Sequence, residues 1–187
     1  MSSGNVFFRA AFFILLALYP AFVYFGLQHL PIGFFGTALA LLLLFRASIM
    51  AAAERRVILP VLVVHFAYAV TVSLSGRQEL LLWYPALVNF SFCLLFALSL
   101  RQEESLLLRV VRARKIQVSE YGPRYLNRLT AVWATFFLLN GAMAILTGAI
   151  SVKTWALYNG FIAYVLIAAL MGGELIFRTW YKRSKGV

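Results

Sequence analysis

The chain has 187 residues and a net charge of +11, yet only 12% of its residues are charged and 63% are hydrophobic. Soluble domains of this size carry about a quarter charged residues, so the composition excludes a water-soluble protein. A helix that crosses the hydrocarbon core of a bilayer needs about 20 apolar residues, and the sequence contains several such runs. It therefore predicts an all-α fold, that of a polytopic membrane protein.

Six apolar runs follow one another along the chain, and each is long enough to form a transmembrane helix. They cover residues 8–27, 32–50, 57–74, 80–100, 130–150 and 155–177. The first run does not resemble a cleavable signal peptide, because it is long and no small-residue cleavage site leads into a polar region. All connectors are short except residues 101–129, so we predict a single transmembrane domain over residues 1–187.

The placement of lysine and arginine predicts how these spans are oriented. Cytoplasmic loops of membrane proteins retain an excess of positive charge. Six spans put both termini on one side, and that side receives all of the 17 basic residues except Arg77 and Lys153. We therefore predict that both termini are cytoplasmic.

Three polar side chains fall near the middle of their spans. These are His65 in span three, Asn89 in span four and Asn140 in span five, and a rise of about 1.5 Å per residue places all three near the bilayer centre. Polar groups inside a bilayer are costly and tend to face other helices. The three residues either hold helices together through hydrogen bonds or line a path for a substrate or proton.

Glu174 lies near the inner end of span six, directly after Gly172 and Gly173. Arg178 follows one turn later, in the order that favours an ion pair along a helix. Ala169 and Gly173 have the four-residue spacing of small residues at which another helix can pack closely. Either Glu174 forms a local ion pair, or the glycines allow a helix or lipid headgroup to approach its carboxylate.

Aromatic residues mark the predicted outer edges of two spans. Trp83 and Tyr84 stand near the start of span four, and Trp155 stands at the start of span six. Amphipathic aromatic rings settle at membrane–water interfaces. We therefore expect these three side chains to lie in the headgroup region.

The large connector, residues 101–129, is predicted to form a cytoplasmic amphipathic segment. In a helix over residues 101–116, leucines and valines at 106, 107, 110 and 111 share one side, and basic residues share the other. Leu108 departs from this pattern. Such a helix lies in the headgroup zone, where its basic side faces lipid phosphates or the cytosol. The candidate contacts for anionic lipid or an acidic partner are Arg109, Arg112, Arg114, Lys115, Arg124 and Arg128.

The sequence offers little material for a catalytic or metal site. It contains no aspartate and only two histidines, so a site built from a His/Asp cluster is not predicted. It has neither a phosphate-binding glycine loop nor a serine nucleophile elbow, and it shows no nucleic-acid-binding module. We predict no metal and no cofactor. A transfer enzyme that uses Glu174 or His65 as a base stays open as a third hypothesis.

Two strings in the second half of the chain are distinctive. Residues 125–145 have the sequence YLNRLTAVWATFFLLNGAMAI, and residues 155–178 have the sequence WALYNGFIAYVLIAALMGGELIFR. Together with the Tyr-Pro and Val-Asn pairs of span four, they resemble a family of small bacterial inner-membrane proteins. The genes of that family lie among those for acyl carrier proteins, ketosynthases and acyltransferases of aryl-polyene or fatty-acid-like pathways. The resemblance covers residues 83–178, and residues 129–145 are more distantly similar to the inner-membrane intracellular septation protein family.

The resemblance implies a location in the bacterial inner membrane and transfers no catalytic residue. It marks as motif positions Tyr84, Asn89, Asn140, Tyr158, Asn159 and Glu174. With the histidine of span three, the predicted intramembrane polar cluster is His65, Asn89, Asn140, Asn159 and Glu174. The resemblance also gives the basic face a partner, because acyl carrier proteins are acidic.

Two functions follow as leading hypotheses. The first is a non-enzymatic membrane component of an acyl or aryl-polyene-type lipid pathway, which docks acidic cytoplasmic partners at its basic face beside the anionic lipids of the inner leaflet. The alternative is a transporter or flippase that moves a lipid-like product along a path lined by the mid-span polar residues. The sequence leaves open both the product and whether the protein forms a homo-oligomer.

Overall fold

The computed structural model describes residues 26, 29–48, 52–113 and 122–184, and these residues form helices and short connections without any strand. The helices are α1 (Ile32–Ser48), α2 (Ala52–Ser75), α3 (Gln78–Ser99), α4 (Leu106–Ala113), α5 (Gly122–Ile150), α6 (Val152–Leu157) and α7 (Ala163–Ser184). A π-helical turn, Tyr158–Ile162, joins α6 to α7. The predicted span 8–27 lies outside the described residues except for Gly26.

Four helical stretches are long and apolar enough to cross a membrane. They are Ile58–Ser75, Gln78–Ser99, Gly122–Ile150 and Val152–Trp180, and α1 contributes a shorter apolar stretch, Ile32–Phe45. This confirms the prediction of an all-helical, multi-pass membrane protein. One boundary differs clearly, since α5 begins about two turns before the predicted span. Pro123 explains the early start, because proline fits the first turn of a helix.

The chain packs as two compact units. Unit 1 comprises Met1–Tyr84 and Leu146–Leu166, and unit 2 comprises Pro85–Ile145 and Ile167–Val187. The boundaries fall inside α3, α5 and α7, so each of these helices contributes a segment to both units.

Within unit 1, α1 and α2 approach each other closely at a glycine. A Cβ atom added to Gly36 would lie only 2.4 Å from the backbone nitrogen of Ser73. Two hydrogen bonds support the contact: the Ser73 hydroxyl lies 2.7 Å from that of Thr37 and donates to the carbonyl of Gly33 at 3.2 Å. Ala40, Leu43 and other apolar residues continue the interface.

Trp155 belongs to the interior of unit 1, so the expectation that it lies among headgroups is wrong. Its side chain is 5% exposed and packs against Leu82 and Ala156. The indole Nε1 donates to the carbonyl oxygen of Leu82 at 2.6 Å, which satisfies the polar atom that would otherwise favour the interface. Trp83, by contrast, is 58% exposed.

Helix α4 packs in unit 2 through a residue outside its predicted apolar face. Leu108, which departs from the amphipathic pattern, is almost fully buried together with Ser105, whereas Val110 is exposed. The Leu106 amide donates to the Ser99 hydroxyl at 3.0 Å. This bond ties the start of α4 to the end of α3 and thereby helps to select the face that is buried.

Candidate functional site

Helices α5 and α7 enclose an open groove of about 510 Å³ within unit 2. It is lined by Arg124, Tyr125, Arg128, Leu129 and Val132 of α5 and by Ala169, Leu170, Gly173, Glu174 and Phe177 of α7. In both helices these positions recur at one- and four-residue intervals, which places them on a single helix face. The volume falls within the range of about 300–1,000 Å³ that is usual for small-molecule sites.

One end of this α5–α7 groove is polar. The Tyr125 hydroxyl donates to Oε1 of Glu174 at 2.9 Å, and Nε of Arg178 lies 3.6 Å from the same oxygen. The Tyr125 ring also stacks against Phe177. The predicted ion pair between Glu174 and Arg178 is therefore confirmed, and the tyrosine is an additional partner that holds the carboxylate in place.

Two arginines stand at the edge of the same end. Arg124 and Arg128 lie one turn apart on α5, and both are exposed. Among the residues that the structure describes, neither arginine forms an ion pair. Since Glu174 is already paired with Arg178, the groove presents uncompensated positive charge.

The other end of the groove is apolar. Leu129 and Val132 continue the groove-facing side of α5, and Ala169 and Leu170 lie on α7. Between the two ends, a Cβ atom added to Gly173 would meet no atom of the described residues within 4 Å. The arrangement can therefore hold a molecule that has an anionic part and an extended apolar part.

Asn89 and Asn140 form a direct pair inside unit 2. Nδ2 of Asn140 donates to Oδ1 of Asn89 at 2.9 Å, and Nδ2 of Asn89 donates to the carbonyl of Pro85 at 2.7 Å. Asn140 is buried, at 5% exposure. The structure thus joins two members of the predicted polar cluster through a bond between α3 and α5.

His65 and Asn159, also predicted for that cluster, lie in unit 1. Nδ1 of the buried His65 lies 2.7 Å from the carbonyl of Val61, and since a carbonyl only accepts, Nδ1 is the donor. Asn159 donates to the carbonyl of Trp155 at 3.0 Å from the π-helical turn. Each of these side chains therefore bonds to the backbone of its own helical stretch.

The six basic residues predicted to contact anionic lipid or an acidic partner differ in how accessible their side chains are. Arg112 is exposed but pairs with Glu104, and Arg109 is half-buried, with its Nε atom enclosed and without a hydrogen-bond partner in the described structure. Arg114 and Lys115 lie outside the described residues. Arg124 and Arg128 are thus the two of the six that combine exposure with the absence of a described ion pair.

The sequence did not single out Tyr125 as a site residue. A signal was available, because Pro123 is typical of a helix start. A predicted helix that starts at Pro123 places Tyr125 on the same face as Arg128 and Leu129.

Comparison with known proteins gives no match for this chain. No family model, no curated protein and no solved structure matches it. Among the described residues, no group of three or more His, Cys, Asp or Glu side chains could hold a metal ion.

Proposed function

We propose that this protein is a non-enzymatic inner-membrane component of an acyl or aryl-polyene-type biosynthetic pathway, and that its basic cytoplasmic end docks an acidic partner. An acyl carrier protein is the partner class that suits this role. The proposal includes six spans with both termini in the cytoplasm. The pathway class is supported by the sequence resemblance over residues 83–178 alone.

The observation that carries the docking role is the excess of exposed arginine in unit 2. Arg101, Arg112, Arg124 and Arg128 are all exposed there. Of the described acids of this unit, Glu104 pairs with Arg112 and Glu174 pairs with Arg178, so Arg101, Arg124 and Arg128 remain against one further acid, Glu103. A surface with such uncompensated charge accelerates encounter with an oppositely charged protein and favours it over neutral ones.

The docking role can be tested by measuring the dissociation constant for a purified acyl carrier protein in an uncharged detergent. The Debye length falls from about 30 Å at 0.01 M salt to about 8 Å at 0.15 M, so we expect binding to weaken steeply over that range. An Arg101→Gln/Arg112→Gln variant should bind several-fold more weakly at low salt.

The matched control is Arg77→Gln/Lys153→Gln, which removes the same charge from the side predicted to face away from the cytoplasm. Its affinity for the carrier protein should stay at the wild-type value. Salt-insensitive binding, the absence of binding, or equal weakening by both double variants would contradict the docking role.

A transporter or flippase is the competing proposal, and the polar contacts give it less support. Both polar atoms of the Asn89 amide are engaged within unit 2, and His65 bonds to its own helix. These contacts favour helix bracing over a polar path. Deletion of the gene separates the two roles: loss of the pathway product from all membranes supports docking, and product retained in the inner membrane supports transport.

A further inference from the structure

We infer that the α5–α7 groove binds one anionic phospholipid of the surrounding bilayer. The headgroup phosphate contacts Arg124 and Arg128, and one acyl chain lies along Leu129, Val132 and Leu170. The site shares Arg124 and Arg128 with the basic surface proposed to dock an acidic protein, but it does not depend on that docking.

Charge is the first support for this occupant. Side chains four residues apart on a helix lie about 5–6 Å from each other at Cβ, so both arginines can reach one phosphate group. The planar guanidinium group matches the geometry of phosphate oxygens. Glu174 does not cancel this charge, because its carboxylate interacts with Arg178 and the Tyr125 hydroxyl.

The direction of the polarity gradient is the second support. Arg124 and Arg128 lie in the first two turns of α5, and Val132 lies about 12 Å beyond Arg124 and about 6 Å beyond Arg128 along the helix axis. The apolar stretch that contains these residues, Gly122–Ile150, is long enough to cross a membrane. A lipid has the same order, with a charged headgroup followed by hydrocarbon, so it can enter the groove without burying its charge.

Free space at Gly173 is the third support. The glycines of α7 were predicted to allow a helix or a lipid headgroup to approach Glu174, and Cβ atoms added to Gly172 or Gly173 would meet no described atom within 4 Å. Only Gly173 lines the groove. The absence of a side chain at this position keeps the groove open for a chain of methylene groups.

The test measures the retention of lipid by purified protein. Wild-type protein and variants are equilibrated with an equimolar mixture of phosphatidylglycerol and phosphatidylcholine, and the lipids that stay bound are counted by native mass spectrometry. We expect one phosphatidylglycerol per chain on the wild type. Arg124→Gln/Arg128→Gln should weaken its retention by about tenfold or more, because charge-assisted hydrogen bonds to the phosphate are lost.

Two glycine variants provide a matched pair for the apolar part of the site. Gly173→Leu fills the groove and should weaken lipid retention as strongly as the double arginine variant. Gly172→Leu makes the same change one residue earlier, also into open space, and should retain the lipid. The elution volume in size-exclusion chromatography and the helical circular dichroism check that all variants are folded.

Several outcomes would overturn the inference. Equal retention of both lipids on the wild type would exclude recognition of the anionic headgroup, and equal loss in both glycine variants would exclude the groove. A change in oligomeric state with Gly173→Leu would identify a second copy of the chain as the occupant. Loss of phosphatidylglycerol with Glu174→Gln would also contradict the site, because removing a negative charge should not weaken anion binding.

The same variants separate this site from the docking role. Arg101→Gln/Arg112→Gln should lose affinity for the carrier protein and keep the lipid. Gly173→Leu leaves the charge unchanged, so it should lose the lipid and keep the carrier protein. If Gly173→Leu lost affinity for the carrier protein while the lipid stayed bound, the groove would be part of the protein-docking surface, and the lipid site would be wrong.

Discussion

Asn89 is engaged through both of its polar side-chain atoms. Its nitrogen donates to Pro85 on the same helix, and its oxygen accepts from Asn140 on α5. Gly141, the next residue on α5, allows the two helices to approach at this level, since a Cβ atom there would lie 3.2 Å from the Asn89 Cβ atom and 2.8 Å from the Phe90 ring. The amide is therefore a bracing group that links two helical segments of unit 2.

A double-mutant cycle can measure this bracing. We expect Asn89→Leu and Asn140→Leu each to lower the free energy of unfolding in detergent, and we expect a coupling of about 0.6 kcal/mol between them, the average for hydrogen bonds between membrane helices. The Asn140 variant should cost more than the Asn89 variant, because Asn140 is buried at 5% exposure and Asn89 is only half-buried. A coupling of zero would show that the bond contributes nothing to stability.

Sequence reasoning predicted a mid-span position for these polar residues but did not identify their partners. Residue counting placed His65, Asn89 and Asn140 near mid-span, because the helical rise is constant. Partners depend on how each helix is rotated about its axis. That rotation is set by side-chain packing, which cannot be read from the hydropathy of the sequence. Of the three side chains, Asn89 and Asn140 are joined directly by a hydrogen bond.

At the scale of the helices, α1 and α2 of unit 1 approach each other closely at a glycine, which has no side chain. Helix α1 presents Gly36 to the backbone of Ser73 on α2, and the hydroxyls of Thr37 and Ser73 bond beside it. Small residues allow backbones to approach in a bilayer, where dispersion contacts and hydrogen bonds hold helices together.

A pair of alanine substitutions tests this contact. Gly36→Ala should lower the free energy of unfolding by about 1–3 kcal/mol, because the added methyl group collides with backbone atoms that cannot move aside alone. Gly172→Ala adds the same group in open space and should be neutral or stabilising by up to about 1 kcal/mol, the difference in helix propensity. Thermal unfolding in detergent would reveal both effects, and equal stability of the two variants would contradict the close contact.

The helices themselves were largely predictable, and their faces were not. Apolar length alone located α2, α3, α5 and α7, since a membrane imposes that length on any span. The contact that buries Leu108 of α4 was not predicted from the sequence, and it accompanies a hydrogen bond from the Leu106 amide to Ser99. The sequence left open whether a helix or a lipid headgroup approaches the glycines of α7, and the Cβ position of Gly173 faces open space beside the groove. Both features depend on how a helix is rotated about its axis, which hydropathy does not specify.

At the scale of the whole molecule, the placement of the basic residues leads most directly from the sequence to a predicted topology. All basic residues except Arg77 and Lys153 fall on one side of a six-span topology, and moving Lys or Arg across the membrane during insertion is unfavourable. The α5–α7 groove could not be foreseen in this way, because it requires residues 124–132 of α5 and residues 169–177 of α7, which lie more than 30 residues apart in sequence, to align on facing sides.

The topology can be tested by labelling single cysteines in a Cys93→Ser background, in which Cys93 is the one native cysteine to remove. In intact cells with a permeable outer membrane, a membrane-impermeant maleimide should label Arg77→Cys and Lys153→Cys. It should label Arg101→Cys only after the inner membrane is opened. All three positions are exposed, so a failure to react reports sidedness and not burial.

A cysteine in place of Ser3 tests the predicted span 8–27, which lies outside the described residues. Each crossing of the membrane reverses the side. In the six-span topology three spans separate Ser3 from Arg77, and a fourth separates Arg77 from Arg101. Ser3 and Arg101 therefore lie on the same side, opposite to Arg77. We therefore expect Ser3→Cys to be protected until the inner membrane is opened. If Ser3→Cys is labelled in intact cells and the other three positions behave as expected, Ser3 and Arg77 lie on the same side. Two spans, and not three, would then separate these residues. Five spans would then replace six, and the N-terminus would move to the side away from the basic end.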